Sequence, residues 1–209
     1  MQTARSFLCQ KPIFLMTSTS PKLYVFAGNN GSGKSTFRNL IIDRLGVSIS
    51  IDADSIARSI DPVHPERYKV TAGKEAIRLA RECIQERRTF SFETTLSGKS
   101  AIRTIQDAKV NGFEVTMFYV GLGDVRLNIG RVASRVQNGG HDIPTEDIIR
   151  RHQSSIQYLL SNLQLIDDLF VVDNSREQGE IVLEVSNGEI VSKCDLLPAW
   201  VEIISQQFP

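Results

Sequence analysis

The sequence contains few cysteines and no long hydrophobic run. Its three cysteines, Cys9, Cys83 and Cys194, stand far apart, and none belongs to a Cys-x-x-Cys or Cys/His pattern typical of metal sites. A disulfide framework is therefore not predicted, and a reducing compartment such as the cytoplasm is the expected location. No apolar run approaches the ~18 residues that a membrane-spanning helix needs, so no membrane partner is predicted.

An excess charge of either sign is also absent. The chain carries 24 basic and 24 acidic residues, so its formal net charge is zero. A broad basic surface for nucleic acid is therefore not expected. Lys11 and Pro12 interrupt the apolar stretch near the N-terminus, and residues 1–20 are predicted to be a loosely ordered extension. Residues 21–209 are long enough for one domain with a substantial core.

Short apolar runs alternate five times with segments of helical periodicity. The runs cover residues 22–28, 47–54, 88–93, 113–121 and 168–174, and helical patterns lie between them. This alternation predicts an α/β fold with a five-stranded, mostly parallel sheet and helices on both faces. Asn187-Gly188 predicts a C-terminal β-hairpin, and residues 197–208 predict a short final helix.

A glycine-rich segment follows the first strand and precedes a helix. Its residues fit the pattern G-x-x-x-x-G-K-[ST], which is typical of phosphate-binding loops of the P-loop NTPase fold. Backbone N–H groups in such a loop point at an anion, and the following helix adds its positive end. Lys34 is predicted to contact the β- and γ-phosphates of ATP, and Ser35 to bind Mg²⁺. The predicted nucleotide-binding residues of this segment are Gly28, Asn29, Asn30, Gly31, Ser32, Gly33, Lys34, Ser35 and Thr36.

A second Gly-Lys-Ser occurs in the segment FETTLSGKSA, at residues 92–101. A phosphate loop needs glycine five residues before its Gly-Lys, and that position is Glu93. An ABC-transporter signature would continue with Gly-Gln after Leu-Ser-Gly, but Lys99 and Ser100 follow here. Neither motif is therefore predicted, although the segment lies just past the carboxyl end of a strand, where α/β sheets bind ligands.

Carboxylates follow the second and third strands. Asp54 is predicted either to cap the next helix or to orient the hydroxyl of an acceptor toward the γ-phosphate. Three roles are open for Glu93: holding Mg²⁺ through water, binding substrate hydroxyls, or forming a structural ion pair. Thr95, with Thr94 and Ser97, would then line a polar pocket suited to a sugar or another polyol.

Arginines cluster between the fourth and fifth strands. Residues 124–152 are predicted to form a lid over the triphosphate, in which Arg131, Arg135 and one of Arg150 and Arg151 bind phosphate. Adjacent helical positions point about 100° apart, so only one of the last pair should face the phosphates. The alternative is an ordinary solvated helix face. His141 is predicted to be structural or exposed.

The segment after the fifth strand, residues 173–176, is the predicted place for adenine, with Asn174 at its centre. A protein specific for GTP would instead show an Asn/Thr-Lys-x-Asp motif. The residues alone leave two classes of function open. One is an ATP-dependent kinase with a small-molecule hydroxyl acceptor, and the other is a P-loop ATPase or nucleotide switch that acts through a protein partner.

Four segments together resemble the zeta-toxin-like P-loop kinases: YVFAGNNGSGKST, IDADSIAR, FSFETTLSG and RVASRVQNGGHDIPTEDIIRRH. The resemblance covers residues 22–175. It implies an ATP-dependent kinase, and the toxins of that family phosphorylate a hydroxyl of UDP-N-acetylglucosamine. A nucleotide sugar is therefore the implied acceptor, and an antitoxin protein is an implied partner.

The same resemblance implies individual roles. Lys34 matches the phosphate-loop lysine, and Asp54 matches the proposed catalytic aspartate. Glu93 and Thr95 match the substrate-binding Glu-x-Thr. Arg135 and one of Arg150 and Arg151 match the lid arginines. With Arg151 chosen from that pair, the resemblance implies that Lys34, Asp54, Arg135 and Arg151 are the catalytic residues. After Thr95 this chain has Leu-Ser-Gly, where the larger toxins have Gly-Arg.

Overall fold

The computed structural model describes residues 20–140, 142–176 and 179–209. The extension expected over residues 1–20 lies, except for Ser20, outside the described residues, and so does His141. None of the helices in the described ranges is both long enough and apolar enough to cross a membrane.

Seven strands in the described residues form a single sheet in the order β2-β3-β1-β4-β5-β6-β7. The first five strands in this order run parallel, and β6 and β7 are antiparallel to their neighbours. The strands are β1 (Lys22–Ala27), β2 (Ser50–Ile51), β3 (Phe90–Thr94), β4 (Glu114–Gly121), β5 (Asp168–Asp173), β6 (Glu180–Ser186) and β7 (Glu189–Lys193).

Helices connect the parallel strands and close the chain. They are α1 (Lys34–Ile41), α2 (Ala53–Ile60), α3 (Lys69–Gln85), α4 (Lys99–Val110), α5 (Val125–Gln137), α6 (Thr145–Leu160) and α7 (Ala199–Ser205), with 3₁₀ turns at Pro65–Tyr68 and Leu163–Leu165. The predicted α/β fold with helices on both sheet faces is confirmed. The main core fills the face covered by α3, α4, α6 and α7. On the opposite face, Phe37 of α1 packs on Phe118 of β4 with ring centroids 5.7 Å apart.

The predicted hairpin is confirmed, but it extends the sheet instead of standing beside it. Asn187 and Gly188 have φ of 49° and 81°, the left-handed conformation that a two-residue hairpin turn requires. β6 pairs with β5 from Asp168 opposite Ser186 onward. The sheet of the described residues therefore has seven strands where five were predicted, because the hairpin pairs with the edge of β5 that would otherwise be exposed.

Three local expectations are wrong. The second strand was expected over residues 47–54, but only Ser50–Ile51 is extended before the chain turns into α2. Residues 34–46 have the spacing of one continuous helix, with Phe37, Leu40, Ile41 and Leu45 on its apolar side, but α1 ends at Ile41 and the chain continues as turns. Leu40 and Ile149, which the helical patterns of residues 34–46 and 145–163 place inward, are 69% and 41% exposed. These helices cover the sheet with narrower apolar stripes than the periodicity indicates.

The sheet order gathers distant segments at one edge. β1 lies between β3 and β4, so Ala27 stands opposite both Thr94 and Tyr119. The segments that follow β1, β3 and β4 therefore leave the sheet side by side at its carboxyl edge. Ligands of open α/β sheets bind at such an edge.

One buried hydrogen bond attaches α6 to the centre of the sheet. The Tyr119 hydroxyl donates to Ser155 Oγ at 3.0 Å, and both residues are buried. Burial raises the pKa of Tyr119 to about 12, although the hydrogen bond with Ser155 acts in the opposite direction. The folded chain therefore keeps this phenol neutral at a pH where an exposed tyrosine ionises.

We expect Tyr119→Phe to lower the free energy of unfolding at pH 7 by about 1–3 kcal/mol, because Ser155 would lose its buried partner. In the wild type, the raised pKa means that stability is fully present below pH ~10 and falls as the unfolded tyrosine ionises between pH ~10 and ~12. The phenylalanine variant should show a shallower fall, which urea titrations across that range would measure. Parallel pH dependence in the two proteins would contradict this.

Candidate active site

The glycine-rich loop after β1 is packed tightly against two other elements. Gly28 and Gly31 have φ of 143° and 75°. A Cβ atom at Gly28 would lie 2.1 Å from the carbonyl oxygen of Val120, and one at Gly31 would lie 2.6 Å from that of Asn128. Any other residue at either position would be strained and would clash with backbone. The sequence therefore requires glycine where the loop bends over β4 and α5.

Three hydrogen bonds from side-chain amides join this loop to distant segments and hold it in shape. Asn29 Nδ2 donates to the carbonyl of Ile148 at 3.0 Å. Asn128 Nδ2 donates to the carbonyl of Asn30 at 2.8 Å, and Asn174 Nδ2 donates to that of Ser32 at 2.8 Å. The bonds come from α5, α6 and the segment after β5, so the loop is formed before any ligand binds.

The residues of the loop fit a phosphate group. The Ser32 hydroxyl is buried and has no hydrogen-bond partner among the described residues. Helix α1 begins at Lys34 without a side-chain cap and without an acidic residue in its first turn. Its first N–H groups are therefore free of intrahelical and side-chain acceptors, and they present the positive helix end to an anion.

Glu93, at the end of β3, contacts the two residues predicted to bind phosphate and metal. Ser35 Oγ donates to Glu93 Oε1 at 2.7 Å, and Lys34 Nζ lies 3.7 Å from the same oxygen. The Glu93 side chain is only 6% exposed. A carboxylate and a serine hydroxyl are oxygen ligands of the kind that Mg²⁺ prefers.

Asp52, and not Asp54, caps helix α2. Its Oδ1 accepts a hydrogen bond from the Asp54 N–H at 3.0 Å, and its Oδ2 accepts one from Ser55 Oγ at 2.7 Å. The cap predicted as one alternative for Asp54 is therefore wrong. Asp54 lies exposed in the first turn, and its carboxylate has no hydrogen bond or ion pair with any residue that the structure describes.

The segment after Glu93 exposes hydroxyls and buries its leucine. Thr95 Oγ1 and Ser97 Oγ are 2.8 Å apart, while Leu96 is fully buried with a φ of 51°. Gly98 is extended and Lys99 is exposed at the start of α4. This second Gly-Lys-Ser therefore forms no anion cradle, as predicted.

The structure distinguishes the adjacent arginines of α6. Arg151 donates to Asn30 Oδ1 at 2.9 Å, and it also donates to Asp147 at 3.1 Å. The Arg150 side chain is 61% exposed, and its one partner among the described residues is Asp147. Both arginines lower the pKa of Asp147, chiefly through the hydrogen bond from Arg150. Arg151 is thus the member of the pair that contacts the phosphate-binding loop.

The arginines of α5 lie at different depths. Arg131 donates to the carbonyl of Asn174 at 2.8 Å and lies beside Gly33. Arg135 is one turn further along the helix, is exposed, and packs along Gly140. Arg131 and Asn174 therefore meet at the loop, and their roles in nucleotide binding stay predictions. Arg135 stands at the outer end of the predicted lid.

Two residues near the loop were not predicted from the sequence. Arg38 lies one turn after Lys34 in α1, and its Nη1 is 3.0 Å from Glu93 Oε2. Asn128 is buried on the apolar face of α5. A polar side chain within the stripe formed by Val125, Ile129 and Val132 was the available signal for Asn128, because buried amides require partners.

Comparison with known proteins agrees with this geometry. Residues 8–183 match the model of the family described as zeta toxin, which is most of the chain. The chain belongs to the zeta toxin family. An uncharacterized protein of Haemophilus influenzae is 40% identical over 143 residues, which cover 68% of this zeta-family chain and 98% of the relative.

Solved structures share the fold at low sequence identity. A chain of the AvrRxo1-ORF1:AvrRxo1-ORF2 complex superposes with a TM-score of 0.65 at 13% identity, over 90% of this chain and 63% of that chain. The same complex with ATP gives a TM-score of 0.64 at 14% identity. A chain of the PezAT toxin-antitoxin system of Streptococcus pneumoniae gives 0.58 at 18% identity, over 91% of this chain and 79% of that one. This chain thus spans less than two thirds of the matched AvrRxo1 chain.

The lysines of the two Gly-Lys-Ser segments give a matched test. We expect Lys34→Ala to weaken binding of Mg²⁺·ATP by about 10- to 100-fold, because a charge-assisted hydrogen bond contributes about 1.5–3 kcal/mol. Lys99→Ala should change the affinity by less than about twofold. Titration calorimetry measures both. Equal losses in the two variants would contradict the assignment of the loop at residues 28–35.

Proposed function

We propose that this zeta-family chain is an ATP-dependent kinase that transfers the γ-phosphoryl group to a hydroxyl of a small molecule. The observation that carries the proposal is the meeting of a preformed phosphate loop with Glu93 at one sheet edge, where Ser35 contacts Glu93 at 2.7 Å. Asp54 lies in the first turn of α2, the helix that follows the neighbouring strand β2 at the same edge. A donor side and an acceptor side therefore adjoin. A nucleotide switch has no need of an acceptor side.

On the donor side, Lys34 and the start of α1 would bind the β- and γ-phosphates. Ser35 would hold Mg²⁺, which supplies neutralisation of the phosphate charge when bound. Arg151 would add charge from the lid, since it already contacts Asn30 of the loop. Asn174 and Arg131 would face the nucleoside. The Asn174 amide donates to the carbonyl of Ser32 in the loop, and the Arg131 guanidinium donates to the carbonyl of Asn174. The related fold crystallised with ATP supports this choice of nucleotide.

On the acceptor side, Asp54 would orient the reacting hydroxyl. The acceptor oxygen forms a bond to the γ-phosphorus, the bond from that phosphorus to the β–γ bridging oxygen breaks, and the proton passes to the Asp54 carboxylate. ADP is the leaving group. The cap by Asp52 fixes the backbone of Asp54, while its carboxylate has no partner among the described residues and is available to substrate. Orientation is its main contribution, because little proton transfer is needed early in a loose transition state.

A nucleotide sugar is the acceptor class that we propose. Thr95 and Ser97 present paired hydroxyls beside Glu93, which suits recognition of a polyol. Leu96, the first residue after the family's Glu-x-Thr, is turned into the core, so the hydroxyls and not this leucine border the site. Glu93 lies between Ser35 and this polar segment, and its place supports both the metal role and the acceptor role predicted for it.

We also propose an antitoxin protein as a partner. The PezAT structure comes from a toxin-antitoxin system, and the fold similarity extends over 91% of this chain. Co-expression of the chain with the product of each neighbouring gene, followed by copurification and a growth assay, would test this partner separately from catalysis.

The proposed function is tested by incubating the full chain with Mg²⁺ and ATP labelled in the γ-phosphoryl oxygens. The acceptors are a panel of nucleotide sugars, sugars and polyols, and mass spectrometry reports which of them gains a labelled phosphoryl group. We expect transfer to a nucleotide sugar and none with Lys34→Ala. Release of inorganic phosphate alone, at a rate unaffected by every acceptor, would contradict the kinase and favour an ATPase.

Asp54→Asn is the sharpest test of the acceptor side. The change keeps the size of the side chain but removes its charge, so transfer should fall by roughly 10²- to 10⁴-fold. The affinity for Mg²⁺·ATP should stay within about twofold of the wild type, because donor-side contacts are untouched. Asp107→Asn, an exposed aspartate of α4, is the matched control and should retain full transfer. Wild-type transfer by Asp54→Asn would remove the aspartate from the mechanism.

Arg150 and Arg151 give a second matched pair. Arg151→Ala should lower kcat by about 10²-fold, the usual loss for one preorganised donor of a transition-state charge. Arg150→Ala should stay within about threefold, because its side chain is exposed and pairs only with Asp147. Steady-state kinetics at varied ATP separates kcat from KM. A larger loss for Arg150→Ala would contradict the placement of α6 against the loop.

A further inference from the structure

Arg38 contacts two carboxylates, one in β3 and one at the N-cap of α2. Its Nη1 lies 3.0 Å from Glu93 Oε2 and 3.7 Å from Asp52 Oδ2. The Arg38 side chain is 13% exposed. An arginine so deeply covered next to the phosphate loop is not part of the ordinary solvated face of α1.

The two carboxylate oxygens of Glu93 face different partners, Arg38 on one side and the donor side of the site on the other. Its Oε1 is bound by Ser35 Oγ and approached by Lys34 Nζ, while its Oε2 faces Arg38. If Lys34 turns to phosphate and Ser35 to the metal, Oε1 loses both partners. A buried carboxylate without a cation costs several kcal/mol. Arg38 is the cation that stays with it.

The second contact of Arg38 leads to the acceptor helix. Asp52 caps α2 through the Asp54 N–H and also accepts from Ser55. Arg38 thus connects the end of β3, which carries Glu93, with the start of α2, which carries Asp54. Arg38 Nη1 and Glu93 Oε2 are both buried, but neither atom makes a hydrogen bond within the described ranges. The ion pair between them could therefore still gain a hydrogen bond.

We propose that Arg38 is a positioning residue that takes over Glu93 when nucleotide binds and holds it in register with α2. In its absence Glu93 would compete with the triphosphate and metal for Lys34 and Ser35. The proposal rests on the proposed function only in requiring that the loop bind Mg²⁺·nucleotide. It needs no knowledge of the acceptor.

The test is a double-mutant cycle read by calorimetric binding of Mg²⁺ with a non-hydrolysable ATP analogue, without acceptor. Arg38→Gln should raise the Kd about tenfold, equivalent to about 1.4 kcal/mol. In the Glu93→Gln background, Arg38→Gln should change the Kd by less than about threefold, because the neutral amide no longer holds Lys34. Such coupling is typical of residues in direct contact. Arg38→Lys, which keeps the charge, should lie between the wild type and Arg38→Gln.

Arg58→Gln is the matched control. Arg58 also approaches Asp52, at 3.9 Å, but its side chain is 58% exposed, so its removal should change the Kd by less than about twofold. Urea unfolding of every variant separates affinity from stability. The proposal is overturned if Arg38→Gln binds like the wild type, or if it weakens binding as much in the Glu93→Gln background as it does in the wild type. A wild-type chain that binds no Mg²⁺·nucleotide would instead contradict the proposed function, and the Arg38 role with it.

Discussion

The buried carboxylate of Glu93 is the interaction on which the candidate site depends. It meets Ser35 at 2.7 Å, Lys34 at 3.7 Å and Arg38 at 3.0 Å, and its side chain is 6% exposed. A charge at such depth requires these partners, so the end of β3 and the start of α1 must stay together. The same residues are those that a triphosphate and a metal would use. If the proposed function holds, ligand binding would rearrange contacts that already hold the site in shape.

The strand order of the sheet brings Glu93 next to the phosphate-binding loop. With β1 between β3 and β4, the glycine loop, the Glu93 segment and the start of α5 emerge at one edge. The loop then fits only because Gly28 and Gly31 let it approach the carbonyls of Val120 and Asn128. Membership of the zeta toxin family is consistent with each of these features. At Arg38, one guanidinium faces two carboxylates.

The sequence predicted the architecture well where a single local signal decides the structure. The apolar runs gave the parallel strands, and Asn187-Gly188 gave the hairpin, since both depend on neighbours in sequence. The attachment of that hairpin to β5 depends on a long-range pairing that periodicity does not encode. The early turn into α2 was missed because Asp52, which follows a strongly β-forming run, is used as a helix cap.

The site was predictable as a set of residues but not as a set of contacts. Lys34, Ser35 and Glu93 follow from motif and strand position. Sequence alone could not choose between Arg150 and Arg151, because that choice depends on how α6 is rotated, and the Asn29 and Tyr119 hydrogen bonds determine its placement. Arg38 carried no motif, and its importance appears only when β2 and β3 lie beside α1.

A crystal structure of the chain with Mg²⁺ and a non-hydrolysable ATP analogue would test the central claim most directly. The account predicts the triphosphate in the loop at residues 28–35, with Lys34 Nζ on the γ-phosphate and Glu93 detached from Ser35 but still paired with Arg38. A nucleotide bound elsewhere, or the Ser35–Glu93 hydrogen bond intact beside a bound triphosphate, would contradict it.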